Sequence, residues 1–462
     1  MTRLTALDSA FLAFESDRTP THVGSVAFFE GEPFHDAHGA FRLADVRERI
    51  GARLHLVPRL RQRPTGTPLG VAHPLLVDDP DFDIAHHVKL TEVGAPASEA
   101  EVLELAAELH MERLDRSRPL WEIWFVDGLA DGRVAMVEKI HHSIVDGVSG
   151  VEIATVLLDL ERHPPETDPP PWQPEEQGAV ELLAGGMADR VRQPFDLLTD
   201  ALDSLRHPAE TAERAVHDAR ALSSFLRPPL LAPRSSLNDQ VGHRRRLVPI
   251  RRDLAAVKEH AHGHGGTVND LVLAAVTGGL RQLLTARGEL PHDPGFALRA
   301  LVPVSLHAAE GELGNVVAGL VVDLPVGLEE PIAQIRSITA DLREHKKTGE
   351  ATASARLLRG ADLLPPVLTR SVSQAVHHQP FVNLVVTNVP GTTFPLYAMG
   401  AELLDAVPIV PLGGNLSISV GVLSYHGRID LGIFADADAC PDLDVLVAGI
   451  ESAFDTLAQP ST

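Results

Sequence analysis

Apolar residues recur along this 462-residue chain with two alternating periods, one near two and one near 3.6 residues. Residues 21–30, Thr-His-Val-Gly-Ser-Val-Ala-Phe-Phe-Glu, are rich in β-branched and aromatic side chains and read as a strand. Residues 43–53 read as a short amphipathic helix. Over 100–114, Val102, Leu105, Ala106, Leu109 and Leu114 fall at helical spacing. Trp121–Val126 and Arg133–Ile140 read as two strands joined through Gly128–Gly132. The segment Gly147–Leu160 reads as a helix carrying Val151, Ile153, Ala154, Leu157 and Leu158.

The pattern then breaks. Residues 161–176 are crowded with prolines and acids, the composition of a solvated, polyproline-like linker. Helical spacing returns over 178–226 (Leu183, Met187, Val191, Leu198, Leu202, Leu205), with Pro194 and Pro208 splitting it. Three further prolines, at 228, 229 and 233, close the region. The expected organisation is an N-terminal half, 1–160, a linker and helical crossover, 161–235, and a C-terminal half, 236–462. The second half opens with a strand at Arg244–Pro249 and a helix over 253–262. After the glycine-rich turn at 262–266, Thr267 stands where a helix N-cap belongs, before a helix over 269–284. Strands are expected at 297–304, 315–324 and 381–388, a hairpin at 416–424 and 428–435 around His426-Gly427, and a closing helix at 442–457. Strands interleaved with helices throughout define an α/β or α+β chain with mixed sheets.

Composition narrows the function. Hydrophobic residues make up 44% and charged residues 22%, ordinary values for a globular chain. The net charge of −23 argues against a nucleic-acid binder, which needs a positive footprint, and against a polybasic membrane anchor. The lone cysteine, Cys440, excludes an intrachain disulfide framework. Met1–Asp17 lacks a basic segment followed by an apolar one, so no secretory signal is expected. Apolar runs such as Leu271–Val276 fall far short of the roughly 20 residues that span a bilayer. The expectation is a cytoplasmic protein, at most peripheral on the inner membrane face or on lipid inclusions.

The chemistry concentrates in His141-His142-Ser143-Ile144-Val145-Asp146-Gly147, between an apolar strand and a helix start. Such turns expose side chains at a sheet edge. A neutral imidazole there can take a proton from a hydroxyl or a thiol near neutral pH. Asp146, four residues past His142, can act through loop structure, and Gly147 permits a tight turn. Other readings compete: a metal held by His and Asp, which lacks a third clustered ligand, or a serine hydrolase, for which no G-x-S-x-G elbow is present. The second pair, His86-His87, follows the acidic turn Asp78–Asp83 and reads as surface. His243–Arg246 with Arg251 and Arg252 is the most basic stretch. It reads as a solvated strand edge or as a contact for lipid headgroups or nucleotide phosphates.

His141-His142-x-x-x-Asp146-Gly147 resembles the signature of the acyltransferase superfamily that includes chloramphenicol acetyltransferase and peptide-synthetase condensation domains. Further motifs resemble the bacterial wax ester synthase/diacylglycerol acyltransferase family: Leu7-Asp8…Phe11-Leu12…Thr21-His22-Val23-Gly24, Val57–Arg63, Asp79–Asp83 with His87-Val88, Arg118-Pro119-Leu120-Trp121-Glu122, Thr267–Ala274 with its Asn269-Asp270 pair, Val302–Ser305, Gly314-Asn315 and Thr387–Gly391. The resemblance covers nearly the whole chain; Thr21 stands where methionine is expected, a departure that leaves the histidine motif intact.

The resemblance implies an α/β fold of two chloramphenicol acetyltransferase-like halves, each a mixed β-sheet flanked by helices, with an active-site tunnel between them. It implies acyl-CoA as co-substrate, no cofactor and no metal, and diacylglycerol or a long-chain alcohol as acceptor. His142 would be the general base, His141 its packing or hydrogen-bonding partner, and Asp146 a loop stabiliser. Asn269 would be an oxyanion donor or a polar group behind the site, with Asp270 beside it. Gly147, Pro119, Leu120 and Trp121 would be structural. Two alternatives remain open: a carrier-protein-dependent condensation-type enzyme, and a non-catalytic lipid-binding relative.

Overall fold

The computed structural model describes residues 2–66, 73–145, 150–165, 170–175, 231–306, 316–348 and 378–459. In the first part of the chain come β1 (Thr2–Arg3), α1 (Ala6–Phe14), β2 (His22–Glu30), α2 (Leu43–Arg53), β3 (Gln62–Thr65) and β4 (Leu75–Asp78). They are followed by β5 (Val88–Ala97), α3 (Glu99–Met111), β6 (Trp121–Leu129), β7 (Arg133–His141) and α4 (Gly150–Leu157). The second part holds β8 (Arg245–Asp253), α5 (Leu254–Gly263), α6 (Val268–Ala286), β9 (Leu298–Leu306), β10 (Val316–Leu324) and α7 (Pro331–Thr348). It continues with β11 (Leu384–Pro390), β12 (Tyr397–Ala398), β13 (Ala401–Ile409), β14 (Ile418–Tyr425), β15 (Arg428–Asp436) and α8 (Leu443–Leu457).

Two six-stranded sheets carry the fold, in the orders β12-β13-β2-β7-β6-β5 and β10-β9-β11-β14-β15-β8. Both are mixed. In the first, β5 runs parallel to β6 and the other pairs are antiparallel; in the second, β11 runs parallel to both neighbours. A small sheet, β1-β4-β3, flanks the first. The mixed α/β class and the two-sheet architecture expected from the sequence are those observed. The expected strands and helices of both halves recur within a few residues of their positions. The helix read at 147–160 is described from Gly150. The helical crossover read at 178–226 lies outside the described residues.

Eight elements were not anticipated: β1, α1, β3, β4, β5, α7, β12 and β13. The last matters most. It comes late in the chain, yet it pairs antiparallel with β2, Ile409 opposite Gly24 and Leu403 opposite Phe29. Its sequence, AELLDAVPI, hides this role. A bulge between Leu403 and Asp405 shifts the alternation that would mark a half-buried strand.

Alternation along β7 sets the layers. Val134, Met136 and Ile140 join one core, with Val46 and Ile50 of α2 and Ile153 of α4. Ala135 and Val137 face the opposite way, into a core that unites α3 with Leu247 of β8, Val407 of β13 and Phe434 of β15. This second core joins the two sheets. A third, the largest, buries α6 and α8 against the second sheet.

The two buried helices approach closely because glycines line the contact. A Cβ on Gly279 would stand 2.4 Å from Ile450 Cγ1 and 2.7 Å from the Leu446 carbonyl oxygen, closer than packing allows. Gly279→Ala should therefore destabilise the fold by about 1–3 kcal/mol. Urea unfolding is the measurement, and an unchanged midpoint would show that the helices can separate without cost.

Candidate active site

The histidine motif sits where three segments meet: the end of α1, the start of β2 and the end of β7. A capping box starts α1, in which Thr5 Oγ1 accepts from Asp8 N–H and the Asp8 carboxylate accepts from Thr5 N–H. Strand β2 pairs with β7 so that His22 lies opposite His141. Gly24, two residues on, is required there: a Cβ would fall 1.8 Å from the Glu138 carbonyl oxygen. After His141 the chain enters a single 3-10 turn, His142–Ile144, held by the His142 N–H donating to the Thr21 carbonyl at 2.8 Å.

His141 is sealed, with 1% of its surface exposed. Its Nδ1 accepts from the Ser143 backbone N–H at 3.1 Å, and Ser143 Oγ lies 2.7 Å from the same atom. That assigns the ring proton to Nε2, which stands 2.9 Å from Thr21 Oγ1 and 3.6 Å from Glu15 Oε1. Burial pushes its pKa down to about 3, against the pull of Glu15, so His141 stays neutral at working pH. His142 differs: it is half-buried, and its ring lies flat on Phe11 of α1, centroids 3.9 Å apart and planes 18° apart.

Glu15, the C-cap residue of α1, is a carboxylate that sequence reasoning missed. Its side chain is 1% exposed. Oε1 lies 3.2 Å from His22 Nε2, while Oε2 accepts from Arg116 Nη2 at 2.7 Å and Arg113 Nε at 3.3 Å. Burial alone would raise its pKa, but His22, His141 and Arg116 together hold it well below the usual carboxylate range. His22 donates from Nδ1 to the His110 carbonyl at 3.1 Å, so both of its ring nitrogens point at oxygen acceptors. The one signal in the sequence was its position four residues after Phe11, on the same helix face.

The proline-leucine-tryptophan motif packs directly behind the histidines. Pro119, Leu120 and Trp121 are buried, and the Leu120 carbonyl accepts from His141 N–H at 3.0 Å. Trp121 Nε1 donates to the Leu60 carbonyl at 2.7 Å, which ties in the Val57–Arg63 segment. His87 stacks on Trp121 at 4.6 Å and on Phe82 at 5.2 Å. The sequence placed this histidine at the surface. It is in fact 2% exposed, because its Nδ1–H reaches the Trp121 carbonyl at 2.8 Å and its ring fills the aromatic stack; only His86 faces solvent.

Other expected residues lie elsewhere. Thr267 is the N-cap of α6. Asp270 closes its capping box, accepting from Thr267 N–H at 3.0 Å and from Thr339 Oγ1 at 3.1 Å. Among the described residues no hydrogen bond joins Asn269 or Asp270 to the histidines. Asp146 and Gly147 lie outside the described residues. The basic stretch leading into and along β8 is paired within the chain. Arg244 meets Asp438, Arg245 meets Asp436 at 3.0 Å, Arg246 meets Asp444 at 2.8 Å, Arg251 meets Glu99 at 2.7 Å, and Arg252 faces Glu451 at 3.8 Å. These partners, read from the fold, leave the strand edge neutralised rather than a free positive surface. Among the described residues no helix is long and apolar enough to cross a membrane.

Two mixed sheets, with a double-histidine turn at the end of a central strand of one of them, define a condensation-type acyltransferase fold. Solved structures agree. The chain superposes on the wax ester synthase/diacylglycerol acyltransferase of Marinobacter aquaeolei VT8 with a TM-score of 0.65 and 26% identity, covering 99% of this chain and 98% of that one. The first condensation domain of the CDA synthetase shares the fold alone, with a TM-score of 0.60 and 15% identity over 100% of this chain and 96% of that one. Residues 4–272 match the family model described as wax ester synthase/diacylglycerol acyltransferase catalytic domain, and residues 313–458 match the C-terminal domain of the same family. The chain is 35% identical over 461 residues to the probable diacylglycerol O-acyltransferase tgs1 of Mycobacterium tuberculosis H37Rv, covering 98% of this chain and 95% of that protein. It is 32% identical to the probable diacylglycerol O-acyltransferase tgs2 of the same strain, covering 98% of each. The chain belongs to the wax ester synthase/diacylglycerol acyltransferase family, and it is an acyltransferase.

Glu15→Gln removes the charge that four cationic or imidazole groups surround. It should cost about 2 kcal/mol at neutral pH, after allowance for the partial exposure of the arginines. Because the folded carboxyl titrates low, the advantage of glutamate should persist above about pH 4.5 and shrink as the pH falls further, when the unfolded chain takes up the proton first. Urea unfolding at pH 7 and near pH 3.5 checks this; equal stability of the two proteins at both pH values would contradict it.

Proposed function

We propose that this acyltransferase moves a long-chain acyl group from acyl-CoA to diacylglycerol, a long-chain alcohol, or both, with His142 as general base. The observation that carries the reading is the contrast between the adjacent histidines. His141 has both ring nitrogens engaged in a sealed pocket, whereas His142 stands half-buried on the turn beyond it. His141 is thus suited to hold the turn through Ser143, and His142 to exchange protons.

In this mechanism His142 removes the proton of the acceptor hydroxyl as its oxygen attacks the thioester carbonyl. A new C–O bond forms and the carbonyl electrons move onto oxygen, giving a tetrahedral oxyanion that a fixed donor must stabilise. The C–S bond then breaks, and the imidazolium returns its proton to the departing CoA thiolate. No acyl-enzyme is needed, because the thioester is already activated. Asn269, half-buried in the first turn of α6, is the proposed oxyanion donor or a polar group behind it. Asp146 is proposed to stabilise the loop after the histidines. The acceptors are insoluble in water, so the enzyme would meet them at a membrane or droplet surface.

The test is thiol release from palmitoyl-CoA with hexadecanol, diacylglycerol or no acceptor, in parallel with His142→Ala. Release that requires an acceptor and falls at least about a thousandfold in the variant is the expected result. The faster acceptor then names the physiological product. No release with any acceptor would move the reading to a carrier-bound donor or to lipid binding without turnover.

A further inference from the structure

The end of α1 touches both histidines from one side. Phe11 and Glu15 are four residues apart and therefore share a helix face. Phe11 lies flat against His142, and Glu15 lies 3.6 Å from His141 Nε2. The helix is held at both ends. The capping box fixes its start, and Arg116 Nη2 donates at 2.7 Å both to the Leu12 carbonyl and to Glu15 at its finish. Among the described residues, the charged and titratable groups facing this corner are Glu15 at the end of α1, Asp17 just after it, His22 from β2, His110 from α3, His141 from β7, and Arg113 and Arg116 from the loop after α3. What α1 presents to His142 is an aromatic face.

We propose that Phe11 is a positioning residue for His142, holding the imidazole in one orientation and favouring it in the protonated state. This rests on the reading of His142 as the base. The face of an aromatic ring carries negative charge density and attracts a cation stacked upon it. As His142 takes the acceptor's proton it becomes such a cation, so the contact strengthens as the reaction proceeds, which is the condition for an interaction to raise turnover. An aliphatic side chain of similar size would fill the same space without that attraction, and this separates the proposal from simple packing.

The experiment compares Phe11→Leu, Phe11→Met and Phe11→Tyr with the unaltered protein and with His142→Ala. Thermal unfolding establishes that each is folded, and any variant that is not drops out in favour of the other aliphatic one. The readouts are kcat and KM for palmitoyl-CoA between about pH 5.5 and 9, and the titration of His142 by NMR of carbon-13-labelled histidine, assigned with His142→Ala. The aliphatic variants should keep KM within about twofold and lose kcat about tenfold. Their His142 midpoint should fall by roughly half a unit to one unit, since the cation has lost its partner. Tyrosine, which keeps the aromatic face, should restore both. Aliphatic variants with unaltered kcat and an unaltered midpoint would overturn the proposal and leave Phe11 as packing. Undiminished acceptor-dependent turnover in His142→Ala would instead overturn the base assignment, while the NMR midpoints would still report whether Phe11 acts on the ring.

Discussion

A single buried negative charge organises this site. An isolated carboxylate in a protein interior is costly, so Glu15 must be surrounded by partners that compensate for lost water. The partners come from distant places: His22 from β2, His141 from β7, and Arg113 and Arg116 from the loop after α3. Meeting that demand draws α1, two central strands and a loop to one point. Phe11 reaches His142 because the helix that bears it ends at Glu15. The tautomer of His141 follows as well. With Nε2 turned to Thr21 and Glu15, Nδ1 is free to accept from Ser143, and that bond shapes the turn carrying His142.

The junction of the two sheets depends on electrostatics of the same kind. Arg251 of β8 and Arg133 of β7 both reach Glu99, at the start of α3, and Asp405 of β13. Each cation thus meets anions from two elements, and β8 of one sheet is pinned to β13 of the other. Asp430 of β15 lies in the same region and is wholly buried. Burial first, and then the neighbouring Asp405, push its carboxyl up to about 6. The apolar core that includes Phe28, Val407 and Phe434 seals the same junction.

Much of this was legible in the sequence, for reasons that differ by element. Strands such as β2, β7 and β15 declare themselves because apolar runs that include β-branched or aromatic residues lie between turn residues. Helix α6 declares itself through Thr267 and Asp270, a local cap that needs no tertiary information. The His141-His142 motif was legible as a pattern, but its meaning was not. Nothing local distinguishes a sealed imidazole from an accessible one. That distinction arises from Thr21, Ser143 and Glu15, two of which lie about 120 residues away. His87 was misread for the same cause. An acidic turn precedes it, yet Trp121 and Phe82 close over its ring. Strand β13 escaped notice because Asp405 and Pro408 break its alternation, and because its partner lies at the other end of the chain.

That last pairing has a consequence for how the protein is made. The Glu402 N–H bonds the Glu30 carboxylate across 372 residues of intervening sequence, beside the β2–β13 ladder. At ordinary rates of synthesis the partner strand emerges roughly 20 to 75 seconds after β2 does. Once β7 has followed, β2 has that strand on one side and an open edge on the other until β13 arrives, the kind of edge that recruits strands from other chains. The first sheet is therefore a structure that waits. Its completion, in backbone hydrogen bonds between β2 and β13, cannot precede the synthesis of residue 409.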